Sequence, residues 1–286
     1  MIAQQFDYSA PESVSEALSL LSSQKGSRLL AGGQSLIPMM KLRLSTPARL
    51  IDLGRIAELH YIAEVNGSVR IGAMSTHNQL ETSETLHRKC PLLAEAAGRI
   101  GDVQVRNLGT IGGSLSHADP AADYPAALLA VQAQVRLVRQ GGERTVSIGN
   151  FLVDAFTTAL EPGEILYEVI VPVDQTGLSS AYLKFQQPAS GFAVVGVAAQ
   201  VAVQGGNFSV ARVGITGVGS ASYRATAVEK ALEGRPATTA TIEAASRLAT
   251  QGVEALSDLY AAADYRAHAA CIYTRRALGA ALSRAK

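Results

Sequence analysis

Twice in this chain a short apolar run breaks into a pair of glycines, takes up a hydroxyl residue and returns to an apolar pattern. The first stretch is "LLAGGQSLIPMM", Leu29 to Met40, and the second, eighty residues on, is "GTIGGSLSHADPAADYP", Gly109 to Pro125. A glycine pair lacks Cβ atoms, so the backbone can take positive φ and approach a ligand closely. Successive N–H groups in such a bend form a concave nest for an anion. A helix beginning at Leu36 would add unpaired amides and the positive end of its dipole, and Ser35, Thr110 and Ser114 bring hydroxyls to the same places. Two such bends that converge can hold a diphosphate without Lys or Arg, at about 1.5–3 kcal/mol for each charge-assisted hydrogen bond. The other reading of each stretch is a plain turn, as the flanking hairpin strands indicate for Gly141-Gly142 and Gly205-Gly206.

The bulk properties close off several function classes. With 286 residues, 48% hydrophobic and 17% charged, the chain has room for one large or two medium domains, and a core of that size needs no disulfide. Its 25 basic and 24 acidic residues form no like-charge run, Trp is absent and aromatics are 5%. That argues against nucleic acid and against a membrane surface as partners. Cys90 and Cys271 are far apart and too few to hold an iron–sulfur cluster; they fit a reduced, cytoplasmic chain. The first residues lack the pattern of a signal peptide, and no apolar run reaches the roughly 20 residues of a membrane span. There is no P-loop motif, and "GITGVGSAS" has Ala221 and Ser222 where a dinucleotide fingerprint wants a third glycine.

Periodicity gives the organisation. Ser9, Pro11 and Glu12 precede a helical spacing at Val14, Ala17, Leu18 and Leu21. "SRLL" and "RLIDL" read as strands, "GSVRIG" as a strand before a short helix, and "CPLLAEAAGRIG" and "YPAALLA" as helices. "QVRLVRQGGERTVS" reads as two strands and "GEILYEVIVPV" as one that Pro172 ends. "DQTGLSS", residues 174–180, is the best linker in the chain. Beyond it three strands precede three helical segments, which predicts an antiparallel sheet with helices on one face, a separate α+β unit.

With these residues in hand, "AGGQSLIP" followed by "VRNLGTIGGSLSHADPAADYPAALLA" resembles the FAD-binding medium subunits of the molybdenum hydroxylases, the carbon monoxide dehydrogenase, xanthine dehydrogenase and aldehyde oxidase family. The resemblance covers essentially the whole chain. It implies an α+β fold: a vanillyl-alcohol-oxidase (PCMH-type) FAD-binding domain over 1–176, in subdomains of about 1–57 and 58–176. A C-terminal domain over 177–286 follows, with a three-stranded antiparallel sheet and a helical bundle. By the same resemblance Ala31, Gly32, Gly33, Gln34, Ser35 and Leu36, with Thr110, Ile111, Gly112, Gly113 and Ser114, wrap the pyrophosphate through backbone N–H groups. Asp123 binds a sugar or ribityl hydroxyl, and Leu166 and Lys184 line the flavin, Lys184 at its pyrimidine edge. On residue type alone Asp123 can instead cap the helix after it, Lys184 can be a solvated strand residue and Leu166 core. Ser116, His117 and Asp119 look triad-like, but neighbours in sequence rarely converge as a triad, and they are assigned no chemistry. Ser114 stands where relatives usually have Asn, and no basic–acidic pair follows Lys184.

The function so implied is an electron-transfer flavoprotein with noncovalent FAD and no catalytic or metal-ligating residue of its own. Its partners are a large molybdenum-cofactor subunit and a small [2Fe-2S] subunit, in a dimer of heterotrimers. Two other readings compete: a self-sufficient flavin oxidase or dehydrogenase of the same fold, and a nonenzymatic nucleotide-binding module.

Overall fold

The short apolar runs become strands and the three-to-four-spaced runs become helices in the computed structural model, which describes residues 2–23, 25–173 and 177–285. The first unit is β1 (Asp7–Ser9), α1 (Val14–Ser23), β2 (Ser27–Leu30), α2 (Leu36–Lys41) and β3 (Arg49–Asp52). Its strands are all parallel, in the order β1-β3-β2. Val14, Ala17 and Leu18 of α1 bury one face against Ile51, Leu53, Ile56 and Leu59. The start of α1 is fixed by Ser13, whose Oγ accepts from Glu16 N at 3.2 Å, rather than by Ser9, Pro11 and Glu12.

The second unit opens with β4 (Ile62–Val65), absent from the sequence reading, and β5 (Ser68–Gly72). Six helices follow: α3 (His77–Thr82), α4 (Glu84–Lys89), α5 (Pro91–Ala97), α6 (Val103–Leu108), α7 (Ile111–His117) and α8 (Asp123–Ala130). Next come β6 (Gln134–Arg139), β7 (Gly142–Ser147), α9 (Ile148–Phe151), the small pair β8 (Leu152–Asp154) and β9 (Thr157–Thr158), and β10 (Ile165–Pro172). The main sheet is antiparallel in the order β4-β5-β10-β6-β7, so β10 returns to its centre. Residues 174–176 of the expected linker lie outside the described residues.

The third unit is β11 (Ser179–Gln186), β12 (Ala193–Gln204), β13 (Asn207–Thr216), β14 (Tyr223–Arg224), α10 (Thr226–Leu232), α11 (Thr239–Ser246) and α12 (Ala263–Ser283). The sheet runs β11-β12-β13-β14, with a two-residue fourth strand beyond the three expected. One face packs on α10 to α12 through Val197, Val213, Ile215 and Leu278. The other face is covered by α8. All eight residues of α8 are buried, as a helix apolar all round requires, and Tyr182 and Ala198 share its core. Gly214 permits the contact, since a Cβ there would lie 2.0 Å from Ala126 O. The C-terminal unit is therefore docked on the first part of the chain rather than separate from it. No helix among the described residues is long and apolar enough to cross a membrane.

Candidate functional site

The two glycine stretches meet. A Cβ on Gly32 would lie 1.9 Å from the Leu108 carbonyl oxygen and 2.7 Å from Gly109 Cα. A Cβ on Gly113 would come to 3.4 Å from that of Ala31. Only a bare backbone at Gly32 lets the bend after β2 lie against Leu108 and Gly109, whereas the approach of Gly113 to Ala31 is an ordinary contact.

Their amides differ in a way that the sequence does not reveal. Among the described residues, the N–H groups of Gly32, Gly33, Gln34, Ser35 and Leu36 have no acceptor in the protein. The Ser35 side chain makes no cap hydrogen bond, and Gly33 holds φ +72. This bend keeps the chemistry of an anion nest. The helix after it has only six residues, so its dipole adds little to those amides.

The second stretch is corrected in this respect. Ile111 N donates to Ser75 O at 3.1 Å, Gly112 N to Ala73 O at 2.9 Å, Gly113 N to Thr110 Oγ1 at 3.0 Å and Ser114 N to Thr110 O at 3.0 Å. Thr110 is thus the N-cap of α7. Gly112 is needed for close packing, since its Cβ would lie 2.6 Å from that of Ala73. Thr110, Ile111 and Gly112 are buried, while Gly113 and Ser114 are half-buried. Sequence shows the glycines but not which amides the neighbouring strand consumes.

Behind this stretch stands His77, which the sequence reading missed. It is 4% exposed, its backbone N–H donates to Gly109 O at 2.9 Å, and ring Nδ1 lies 3.0 Å from the Tyr124 hydroxyl in a hydrogen bond. Burial, with Arg106 nearby, holds its imidazole down at about 4, so the ring is neutral at physiological pH.

Asp123 and Lys184, sixty-one residues apart, are brought together. Lys184 Nζ donates to Asp123 Oδ2 at 2.8 Å and to Arg99 O at 2.8 Å, and the Tyr182 hydroxyl donates to Asp123 Oδ1 at 2.5 Å. The two ionic side chains are 2% and 4% exposed, so Lys184 is no solvated strand residue. Asp123 is the first residue of α8 and not its cap. Burial pushes its carboxyl up to about 6 against the opposing pull of Lys184 and Tyr182. Leu166 is a core residue beside a bulge in β10, next to Tyr167, whose carbonyl accepts from Ala73 N.

The triad-like group does not assemble. The His117 ring packs on Phe156 with centroids 5.1 Å apart, and Asp119 Oδ1 accepts from Ala121 N. Gly217 of "GITGVGSAS" is a packing glycine whose N–H donates to Pro120 O. Among the described residues no cluster of His, Cys, Asp or Glu could hold a metal.

Known proteins share this fold and sequence pattern. Residues 4–174 match the family model described as the FAD binding domain in molybdopterin dehydrogenase, and residues 180–281 match the carbon monoxide dehydrogenase flavoprotein C-terminal domain. The carbon monoxide dehydrogenase medium chain of Hydrogenophaga pseudoflava is 41% identical, with 99% of each chain covered. The 6-hydroxypseudooxynicotine dehydrogenase complex subunit alpha of Paenarthrobacter nicotinovorans is 37% identical over 98% of this chain and 96% of that one. Among solved structures, carbon monoxide dehydrogenase from Hydrogenophaga pseudoflava superposes with a TM-score of 0.97 at 42% identity, covering 100% of both chains. Quinoline 2-oxidoreductase from Pseudomonas putida 86 gives 0.94 at 33% identity, covering 99% of both.

Proposed function

From the premise that this chain belongs to the FAD-binding medium subunits of the molybdenum hydroxylases, we propose that it holds FAD noncovalently and relays electrons within a heteromeric oxidoreductase. Electrons enter from iron–sulfur clusters of a small subunit and leave for an external acceptor, while substrate is oxidised at a molybdenum cofactor in a large subunit. We assign the complex as a dimer of heterotrimers in the cytoplasm, where two unpaired cysteines suit the reducing compartment.

The observation that carries this reading is the contact between the two glycine stretches, with five unpaired amides on one side of it. A diphosphate matches that donor set. The amides of Gly32 to Leu36 and the Ser35 hydroxyl bind it, Ala31 and Thr110 to Gly112 form the back wall, and Gly113 and Ser114 close the rim. Leu166 and Lys184 border the ring system, and Asp123 stands behind Lys184. FAD supplies the capacity to accept electrons in pairs and release them singly; the chain supplies binding, orientation and charge. The functional division runs at 176/177, with the first part split near residue 57 between two separate sheets.

Noncovalent binding fits the state of the available thiol and imidazoles, with His77 buried behind the second stretch and hydrogen-bonded to Tyr124. Burial pushes the Cys90 thiol up to about 11, and His117 is packed against Phe156. The substrate belongs to another subunit: relatives named for carbon monoxide, 6-hydroxypseudooxynicotine and quinoline match this chain at 33–41% identity. The test is reconstitution of the flavin-free chain with FAD, followed by acid precipitation. A flavin spectrum on the protein, with all flavin released to the supernatant by acid, is expected. A chain that takes up no FAD refutes the function, and flavin in the pellet refutes noncovalent binding.

A further inference from the structure

The joint between the two parts of the chain is polar along one line. β11 is an edge strand, and its residues 180, 182 and 184 face the first part at every second position, as a strand requires. Arg284, from the end of α12, donates to Ser180 O at 2.6 Å and to Glu95 Oε1 at 2.6 Å, and Tyr182 N donates to Glu95 Oε2 at 3.0 Å. The last link is the buried set of Tyr182 hydroxyl, Asp123 carboxylate and Lys184 ammonium. Both carboxylate oxygens of Asp123 are engaged by β11 side chains, which leaves a sugar hydroxyl only a shared acceptor. Lys184 has three N–H donors, of which Asp123 and Arg99 O take two.

The fold makes room for this arrangement at some cost. Gly196 lies opposite Lys184 across β11 and β12, and a Cβ there would sit 2.4 Å from the Tyr182 hydroxyl. The loop before Asp123 is pinned to the same sheet, with Thr216 Oγ1 within 2.7 Å of Ala122 O and Gly217 N donating to Pro120 O. A glycine in the middle of a strand and a buried ion pair both reduce stability against apolar alternatives. What the set secures is the place of one cation.

We propose that Asp123 and Tyr182 are positioning residues for Lys184, fixing its remaining N–H donor toward the flavin from across the domain joint. The electron affinity of the flavin is then set by how the C-terminal sheet docks on α8. The inference rests on the flavin reading above. Two electrons and one proton leave the reduced ring with one net negative charge, which a fixed ammonium in a dry site stabilises more than the neutral oxidised ring.

The experiment is a redox titration of the full chain loaded with FAD, comparing Lys184→Met, Asp123→Asn, Tyr182→Phe and the double variants with Lys184→Met. Lys184→Met is expected to weaken the preference for reduced over oxidised flavin about tenfold, which is ~30 mV for a two-electron couple. Asp123→Asn and Tyr182→Phe shift it the same way, and neither adds a shift once Lys184 is Met. A carboxylate acting only through its own charge gives the opposite sign, so a raised potential in Asp123→Asn overturns the proposal. So does a Tyr182→Phe shift that persists in the Lys184→Met background, or bound flavin with an unchanged potential in all variants. Tyr182→Phe removes one hydroxyl in a place already shaped for the ring, and it carries the test if Asp123→Asn does not fold. A parent chain that binds no FAD at all fails at the earlier step and refutes the flavin reading itself.

Discussion

Replacing Gly32 by alanine strikes the contact on which the proposed site depends. The added Cβ would sit 1.9 Å from Leu108 O, 2.6 Å from Leu108 C and 2.7 Å from Gly109 Cα. All three are backbone atoms, so no rotamer change relieves the overlap. Carbon–oxygen contacts settle at about 3.3–3.6 Å, so the stretches must part by more than ~1 Å. Overpacking of this kind costs about 1–3 kcal/mol of stability. If two of the five amides lose their aim, about 3–6 kcal/mol of FAD binding goes with them, or ~10²–10⁴-fold in Kd. Titration of the flavin-free chain with FAD, read by flavin fluorescence, gives the Kd, and thermal unfolding gives the stability in parallel. Gly113→Ala is the matched control. Its Cβ meets side-chain atoms, Thr110 Oγ1 at 2.9 Å and Ala31 Cβ at 3.4 Å, and a loss under about tenfold is expected. Gly141→Ala, at φ +80 with nothing within 4 Å, should lose about 1 kcal/mol of stability through strain and leave Kd unchanged. If Gly32→Ala weakens FAD no more than Gly113→Ala does, the abutting stretches are not the diphosphate site.

Three further outcomes follow from buried charge. His77 is held down at about 4, so the unfolded chain takes up a proton that the folded one refuses. Its contribution is full above about pH 6.5 and is lost as pH falls toward 4, up to ~3 kcal/mol, so urea midpoints of His77→Gln should fall less steeply on acidification; parallel curves would exclude this. Asp123, raised to about 6, has the opposite sign: its contribution is present below about pH 4 and is lost as pH rises through 6. Between pH 4 and 7 the stability of Asp123→Asn should therefore rise more steeply than that of the parent, by up to ~3 kcal/mol, and an unchanged slope would refute the assignment. Glu168 is 1% exposed, accepts from Tyr61 and pairs with Arg70 at 2.9 Å and Arg136 at 2.8 Å. Glu168→Leu should cost about 2–3 kcal/mol in chemical denaturation, below the value for a fully buried pair because both guanidiniums reach water; a loss under ~0.5 kcal/mol would mean the network is ornamental.

Much of the fold was legible because its signals are local. The apolar runs at Ser27–Leu30 and Ile165–Pro172, the glycine pair between β6 and β7, and the long C-terminal helix each follow from periodicity and turn chemistry. The misses have two causes, a weak local pattern in one place and packing partners far away in sequence in the other. β4 alternates too weakly to announce itself and exists because β5 pairs with it. The second face of the C-terminal sheet is covered by a helix that begins fifty-six residues before the sheet does.

The sequence alone determined that two bare-backbone bends exist, that each carries a hydroxyl, and that the order and spacing are those of one flavoprotein family. Those are properties of residue type and local conformation. Only the tertiary structure decided that the bends touch, that the first keeps its amides while the second has given its own to Ala73, Ser75 and Thr110, and that Asp123 and Lys184 form a buried pair. Which hydrogen bonds are left over depends on every neighbour that could take them, and neighbours are set by packing rather than by spacing along the chain.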